Sequence, residues 1–520
     1  MPEYLAPGVY VEEIERGPRP IEGVATSTAA FLGAAERGPS RPRLVTSYSE
    51  YVRYFGGIFD DAAYLPYSVR SFFENRGRRA YIARISGDNA ARAAVTVAGL
   101  SLRATGVGTA YNRVWLTIDE AKTKGQNQEA LGFRLRVWYW DKDQPGVPYD
   151  RGAVAAGVPL PGPEASASEV FDDLRLEPTS PSYFLKRVNG SNPVAGGNSS
   201  FIEFVEGAAV PASVAGIAGS AALEGGVDDN AVTVGDFEGM KDDPNDRTGL
   251  AALGLDRYRD VAIVHAPAAE KAVAKAVVTH CERNRFRFAV IDAPPEQGVS
   301  DALEPRDTVQ DTQYGAFYYP WMFISDPRNG ARKKVPPGGA VCGIYALSDN
   351  TTGVWKAPAN EVVADAIDLE YEVTTGAQEV LNPKGVNAIR RFPGRGIRVW
   401  GARTLSSDPL WKYVNVRRLF IFLEASIYFS TQWVVFEPND PRLWARVKQT
   451  ITLFLRTQWR EGALLGEKEE EAFTVSVGRD TMTEDDILNG RLIVEIGIAP
   501  VRPAEFVIFR IFQQTQEATT

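Results

Sequence analysis

Only two histidines occur in the 520 residues, His265 and His280, and the second stands beside Cys281. A cysteine and a histidine do nucleophilic chemistry when the imidazole can take the thiol proton, which requires the two side chains to converge. On the helix predicted over 268–284, adjacent side chains project about 100° apart, so this pair diverges. Asp292 ends a predicted buried strand, where open α/β sheets often keep a catalytic carboxylate. Pro294 and Pro295 directly after it read instead as a strand-ending turn. Gly106-Val107-Gly108 lacks the third glycine of a dinucleotide loop, and Pro336-Pro337-Gly338-Gly339 lacks the lysine of a phosphate loop. Cys281 and Cys342 lie in unlike contexts and are too few for a zinc site, which predicts two buried free thiols. These residues predict no catalytic group, no cofactor and no metal.

What the remaining residues must do is build a large folded body. The length suits three or four domains, and 44% hydrophobic with 24% charged residues is an ordinary globular balance. The first residues carry Glu3, Glu12 and Glu13 in place of a basic start and an apolar core, so no export signal is expected. Nor does any apolar run approach the ~18 to 20 residues of a membrane span. Assembly in the cytoplasm without membrane insertion is the expectation. A net charge of −9 argues against a general nucleic-acid binder. The charge is uneven, because residues 384–460 hold 14 basic and four acidic side chains, leaving −19 on the rest. Either those cations are spent on internal ion pairs or two surfaces meet different partners.

Along the chain, the patterns predict a mixed α/β (α+β) fold of several domains. Residues 1–23 hold four prolines around Val9-Tyr10-Val11-Glu12-Glu13-Ile14, a β-prone run with nothing local to pair with, and read as an arm. Residues 24–89 and 236–360 read as a discontinuous α/β domain, in which a strand at 261–264, a helix at 268–284 and a strand at 288–291 form a parallel βαβ unit. Residues 90–235 are rich in Gly, Ala, Ser and Pro, with strand-like runs at 113–118, 133–140 and 200–205, and read as a β-rich insertion. Residues 361–520 read as a carboxyl-terminal domain, with a buried helix over 414–433 introduced by Asp408-Pro409.

Two features of that last domain suit assembly. Asp440 and Pro441 open a helix that Gly462 stops. At about 100° per residue, Leu443, Val447, Ile451, Phe454 and Leu455 gather on one side, and Arg442, Arg446, Arg456 and Arg460 on the other. The cationic side is either a solvated face or one that meets a carboxylate-rich surface. The second feature is Phe506-Val507-Ile508-Phe509-Arg510-Ile511-Phe512, within an arm at about 505–515, a β-prone run that is an aggregation hazard unless paired. It pairs either within its own chain or with a neighbour's sheet by β-augmentation, as does the amino-terminal run.

Several motifs in order resemble the contractile tail sheath proteins of phages and phage-tail-like injection systems. Near the start stand Pro7-Gly8-Val9-Tyr10-Val11-Glu12-Glu13, Gly23-Val24-Ala25-Thr26-Ser27-Thr28-Ala29-Ala30-Phe31-Leu32-Gly33 and Arg37-Gly38-Pro39. In the middle stand Val335-Pro336-Pro337-Gly338-Gly339-Ala340-Val341-Cys342-Gly343-Ile344-Tyr345 and Gly353-Val354-Trp355-Lys356. Trp400-Gly401-Ala402-Arg403, Asn415-Val416-Arg417-Arg418, Phe436-Glu437-Pro438-Asn439 and Ala499-Pro500-Val501-Arg502-Pro503 continue it. The resemblance implies a structural subunit, not an enzyme. It implies hexameric rings stacked helically around an inner tube, bounded by baseplate and terminator or cap proteins, with a sheath domain built from both termini, joining arms and an outward-facing insertion. It also implies contraction that drives the tube through a target envelope. A non-contractile baseplate or capsid-like assembly protein is the alternative.

Overall fold

A computed structural model describes residues 20–126, 130–142, 162–190, 198–244, 246–298 and 304–510. The chain divides into two compact units. One comprises residues 25–418, and the other joins the two chain ends, its described residues being 20–24 and 419–510.

The larger unit is organised by an eight-stranded sheet. In spatial order its strands are Gly396–Val399, Val386–Phe392, Gly315–Tyr319, Phe288–Asp292, Ile263–His265, Ala29–Gly33, Ala80–Arg84 and Arg43–Val45. The six inner strands run parallel, and the two edge strands antiparallel to their neighbours. Parallel sheets are covered on both faces, so their strands read as unbroken apolar runs; Ala29 to Leu32 and Phe288 to Asp292 are buried throughout. Ala30, Leu32, Ala83, Val264, Ala289 and Phe317 share a core with Val273, Val277 and Val278 of helix Lys271–Asn284. On the other face Phe31 meets Phe72 of helix Leu65–Glu74 edge-on at 5.3 Å, and Tyr318 bonds Tyr345 of helix Gly338–Thr351 at 2.7 Å.

The parallel βαβ unit is present, with Ile263–His265 beside Phe288–Asp292 and Lys271–Asn284 between them in sequence. The domain boundary expected at 360 is corrected. Val386 to Ala388 pair with Phe317 to Tyr319, so the sheet continues past that point through main-chain bonds no local pattern announces. Likewise Asp408-Pro409 opens only the short turn Pro409–Trp411, and the buried helix begins at Val414 and ends at Ser430.

The insertion forms two antiparallel sheets. Ala94–Val97, Leu100–Ala104 and Ile202–Phe204 make one, and Gly219–Ala222, Val114–Glu120, Phe133–Tyr139 and Ala167–Leu174 the other. Val114, Leu116 and Ile118 are buried while Trp115, Thr117 and Asp119 face outward, the alternation of a sheet with one covered face. Both sheets contribute to one core containing Leu102, Leu116, Phe133, Val137 and Phe204. Bridges from Ala91 to Val227 and from Ala94 to Glu224 bring the entering and leaving strands together.

One buried polar group makes stability respond to pH. His280 is 9% exposed, and Arg287 donates to its Nε2 at 2.7 Å and to the carbonyls of Leu253 and Tyr258 at 2.6 and 2.9 Å. Burial, and then the Arg287 charge, push the imidazole down from 6.5 to about 3. Its folded value lies below its unfolded one, so the unfolded chain takes up the proton first as pH falls. Stability is therefore full above pH ~6.5 and declines towards pH ~3 by on the order of a few kcal/mol. Urea titrations of wild type and His280→Gln between pH 7.5 and 4 check this: the wild-type slope against pH should flatten in the variant.

Candidate assembly surfaces

The residues singled out for possible chemistry are spent on structure. His265 donates from Nδ1 to the Val290 carbonyl at 2.9 Å, and its Nε2 lies 3.5 Å from Asp292, both side chains sealed from solvent. Asp292 accepts the Gly338 N–H at 2.7 Å and the Ala268 N–H at 3.0 Å, so its carboxylate occupies the start of helix Gly338–Thr351. Burial pushes that carboxyl up. The glycines that imitate a phosphate loop serve close packing. A Cβ on Gly338 would lie 2.2 Å from the His265 ring, and one on Gly339 would lie 2.4 Å from the Ser68 carbonyl oxygen. Cys281 and Cys342 are buried free thiols, and burial raises Cys281 to about 12. A cleft of about 1220 Å³ lies between sheet and insertion. There Glu36 accepts from Arg113 at 2.9 Å and from the Tyr139 hydroxyl at 2.7 Å, tying the two together.

The surface features singled out in the sequence lie in the smaller unit. Helix Pro441–Arg460 begins as its sequence requires, with the Asp440 carboxylate accepting the Leu443 N–H at 2.8 Å. Leu443, Val447, Ile451, Phe454 and Leu455 are all buried. Of the four arginines opposite, Arg442, Arg446 and Arg460 are exposed and Arg456 is half-buried. Two are already engaged. Arg446 donates to Glu437 at 3.0 Å and lies 5.0 Å from the Trp433 ring, and Arg456 clasps Glu469 with bonds of 2.6 and 2.9 Å. The stripe of four cations is therefore partly committed: Glu437 and Glu469 half-neutralise Arg446 and Arg456, the Glu469 carboxylate also feels the Arg460 charge, and Arg442 makes no ion pair among the described residues. Leu453, 42% exposed, lies among them.

Beside this helix, Phe473–Val477 and Val494–Ile498 form an antiparallel sheet from Phe473 opposite Ile498 to Val477 opposite Val494. It has only these two strands among the described residues. The chain then turns along 463–465, with the Leu465 N–H to Ala499 and the Val501 N–H to Ala463. Beyond it Phe506, Val507, Ile508 and Phe509 are 71, 67, 78 and 85% exposed and pair with no strand among the described residues. Val9, Tyr10, Val11, Ile14, Ile511 and Phe512 lie outside the described residues.

Residues 244–405 match the family model of the phage tail sheath protein central domain, and residues 406–514 that of the phage tail sheath C-terminal domain, together just over half of the chain. The chain belongs to the phage tail sheath family. Among similar proteins is a putative prophage major tail sheath protein of Pseudomonas aeruginosa (strain UCBPP-PA14), 25% identical over 277 residues, which are 51% of this chain and 69% of that protein. The tail sheath protein of Salmonella phage ViI is 24% identical over 383 residues, 68% of this chain but only 54% of the longer phage protein. In fold, this sheath chain is similar to a sheath protein of the extracellular contractile injection system PVC, solved in its contracted state, with TM-score 0.60 and 23% identity over 100% of this chain and 99% of that one. It is similar also to the helical sheath of the anti-feeding prophage in its contracted state, with TM-score 0.57 and 23% identity over 98% and 99%. The family models and the relatives' names set the chain among tail sheath proteins rather than with the capsid-like or baseplate alternative.

One residue of the smaller unit escaped the sequence reading. Phe436 holds φ at +68°, a region bulky side chains avoid, and is 103% exposed. A phenylalanine in a motif otherwise made of Glu, Pro and Asn carried no periodic signal of its own.

Proposed function

We propose that this sheath subunit polymerises, through its terminal arms, into hexameric rings stacked helically around an inner tube, and that the lattice shortens to drive the tube through a target envelope. The observation that carries this reading is the pairing, among the described residues of one unit, of two unmet needs: a sheet of two strands and an apolar β-prone run left in solvent. A neighbour's run added to such a sheet satisfies main-chain groups and buries side chains at once. Contraction then requires no nucleotide, because a lattice assembled in a metastable arrangement can relax to one that buries more surface. Baseplate and terminator proteins bound the lattice at its ends. The subunit is assembled in the cytoplasm and then becomes part of a phage tail or tail-like particle. Nucleic-acid binding and membrane insertion have no part in this reading, and no helix among the described residues is long and apolar enough to cross a membrane. Negative-stain microscopy of purified protein tests it, with rings or tubes expected and uniform small particles contradicting it.

Helix Pro441–Arg460 is proposed to face the tube with Arg442, Arg446, Arg456 and Arg460. Reversing the two that form no salt bridge among the described residues, as Arg442→Glu with Arg460→Glu, is expected to weaken co-sedimentation with the tube roughly tenfold at low salt. High salt should shrink the difference, because exposed charges are screened within about 10 Å at 0.1 M. Equal co-sedimentation at low salt would count against a tube-facing cationic helix.

A further inference from the structure

The strained, exposed Phe436 stands where two costs meet. A non-glycine residue at positive φ persists only when its surroundings impose it, and a fully exposed aromatic ring gains nothing from folding. The surroundings here do impose it. The Val435 and Glu437 N–H groups close tight turns onto Gln432 and Val434. The Glu437 carboxylate is held by Arg446 at 3.0 Å, and Asn439 bridges the Trp444 indole at 2.7 Å and the Arg491 carbonyl at 3.0 Å. A turn fastened at four points thus holds one aromatic ring in water, with Val435 beside it 59% exposed. That is the form of a pre-organised anchor: no order need be gained on binding, and aromatic anchors dominate interface energies.

The Glu437–Arg446 ion pair also fixes where the anchor points from, because it ties the turn to the exposed side of helix Pro441–Arg460. A partner covering Arg442 and Arg446 at the start of that helix therefore lies beside the turn that carries Phe436. We propose that Phe436 is the apolar anchor of tube docking, inserting into a recess on the inner-tube subunit whose rim carries carboxylates. The rim is argued from charge: Arg442 makes no ion pair among the described residues, and Arg446 and Arg460 border the same face. This rests on the reading of that helix as tube-facing, and it adds a contact that salt does not screen.

The test uses the full chain and its purified inner-tube protein, with co-sedimentation measured at 50 and 500 mM salt. Phe436→Ala is expected to lose about 30-fold or more in tube affinity at both salt concentrations, the scale of a hot-spot residue, while sheath polymer formed without tube and the unfolding temperature stay at wild-type values. Phe436→Gly separates docking from folding. It relieves the positive φ, so its unfolding temperature should rise while tube affinity falls as in the alanine variant. Unchanged tube affinity in Phe436→Ala overturns the proposal. So does loss of sheath polymer in the absence of tube, which would make the occupant a second copy of this chain. If Arg442→Glu with Arg460→Glu has no effect while Phe436→Ala releases the tube, the electrostatic part of the earlier reading fails and the anchor stands.

Discussion

Replacing Phe506 and Ile508 together by aspartate is expected to leave a folded chain that forms no tubes. These two residues alternate along the run, so in an added strand they share one face and enter the same apolar layer. They are 71 and 78% exposed in the single chain, so the substitutions remove little intramolecular packing, and the free energy of unfolding should stay within about 0.5 kcal/mol of wild type. In the polymer each side chain is worth roughly 1.5–3 kcal/mol when buried, and each aspartate adds the cost of an unpaired charge in an apolar layer. The loss recurs at every subunit, so a change of several kcal/mol per contact removes long assemblies altogether. Sedimentation and negative-stain microscopy read the outcome. Tubes of normal length from this variant would place the joining contact elsewhere.

The second large effect is expected at Arg418. Its guanidinium donates to Asp349 at 2.9 and 2.7 Å and to the Thr26 carbonyl at 2.9 Å, and it lies 4.7 Å from the Tyr345 ring. The two side chains are only 4 and 2% exposed. Removing one member of a buried pair strands the other charge, at a cost of about 3–5 kcal/mol, whereas replacing both by apolar groups is often neutral or better. Arg418→Met should therefore lower the free energy of urea unfolding by about that amount, and Arg418→Met with Asp349→Leu should recover most of it. A single variant within about 1 kcal/mol of wild type would mean that water reaches Asp349. The pair also explains part of a motif that carried the family resemblance: Asn415 donates to the Trp355 carbonyl at 2.8 Å, so Asn415 and Arg418 fasten the first turn of their helix to two other segments of the same unit.

What could be read in advance follows the range of the physics. Helix Pro441–Arg460 was legible because its cap, proline, apolar face and stop lie within 23 consecutive residues, and each acts over one or two turns. The strands of the insertion were legible because alternation is local, and the βαβ unit because two apolar runs flank one helical period. The arginine stripe was legible as a face but not as a set of free charges. Glu437 sits in an irregular segment before the helix and Glu469 opens the short helix Glu469–Ala472 after it, and only folded geometry brings their carboxylates within 3 Å of a guanidinium.

The sequence by itself determined the kinds of element, the amphipathic faces, the absence of a convergent Cys-His pair on one helix, and the family. Tertiary structure alone decided that residues 386–399 complete the large sheet, that Asp292 and the paired glycines are packing devices, that the described part of the run from Phe506 stays in solvent, and that Phe436 is held outward in a strained turn. The reason is that helix and strand preferences arise from neighbours along the chain, whereas strand partners, ion pairs and exposure depend on residues dozens to hundreds of positions apart, whose approach is set only when the whole core closes.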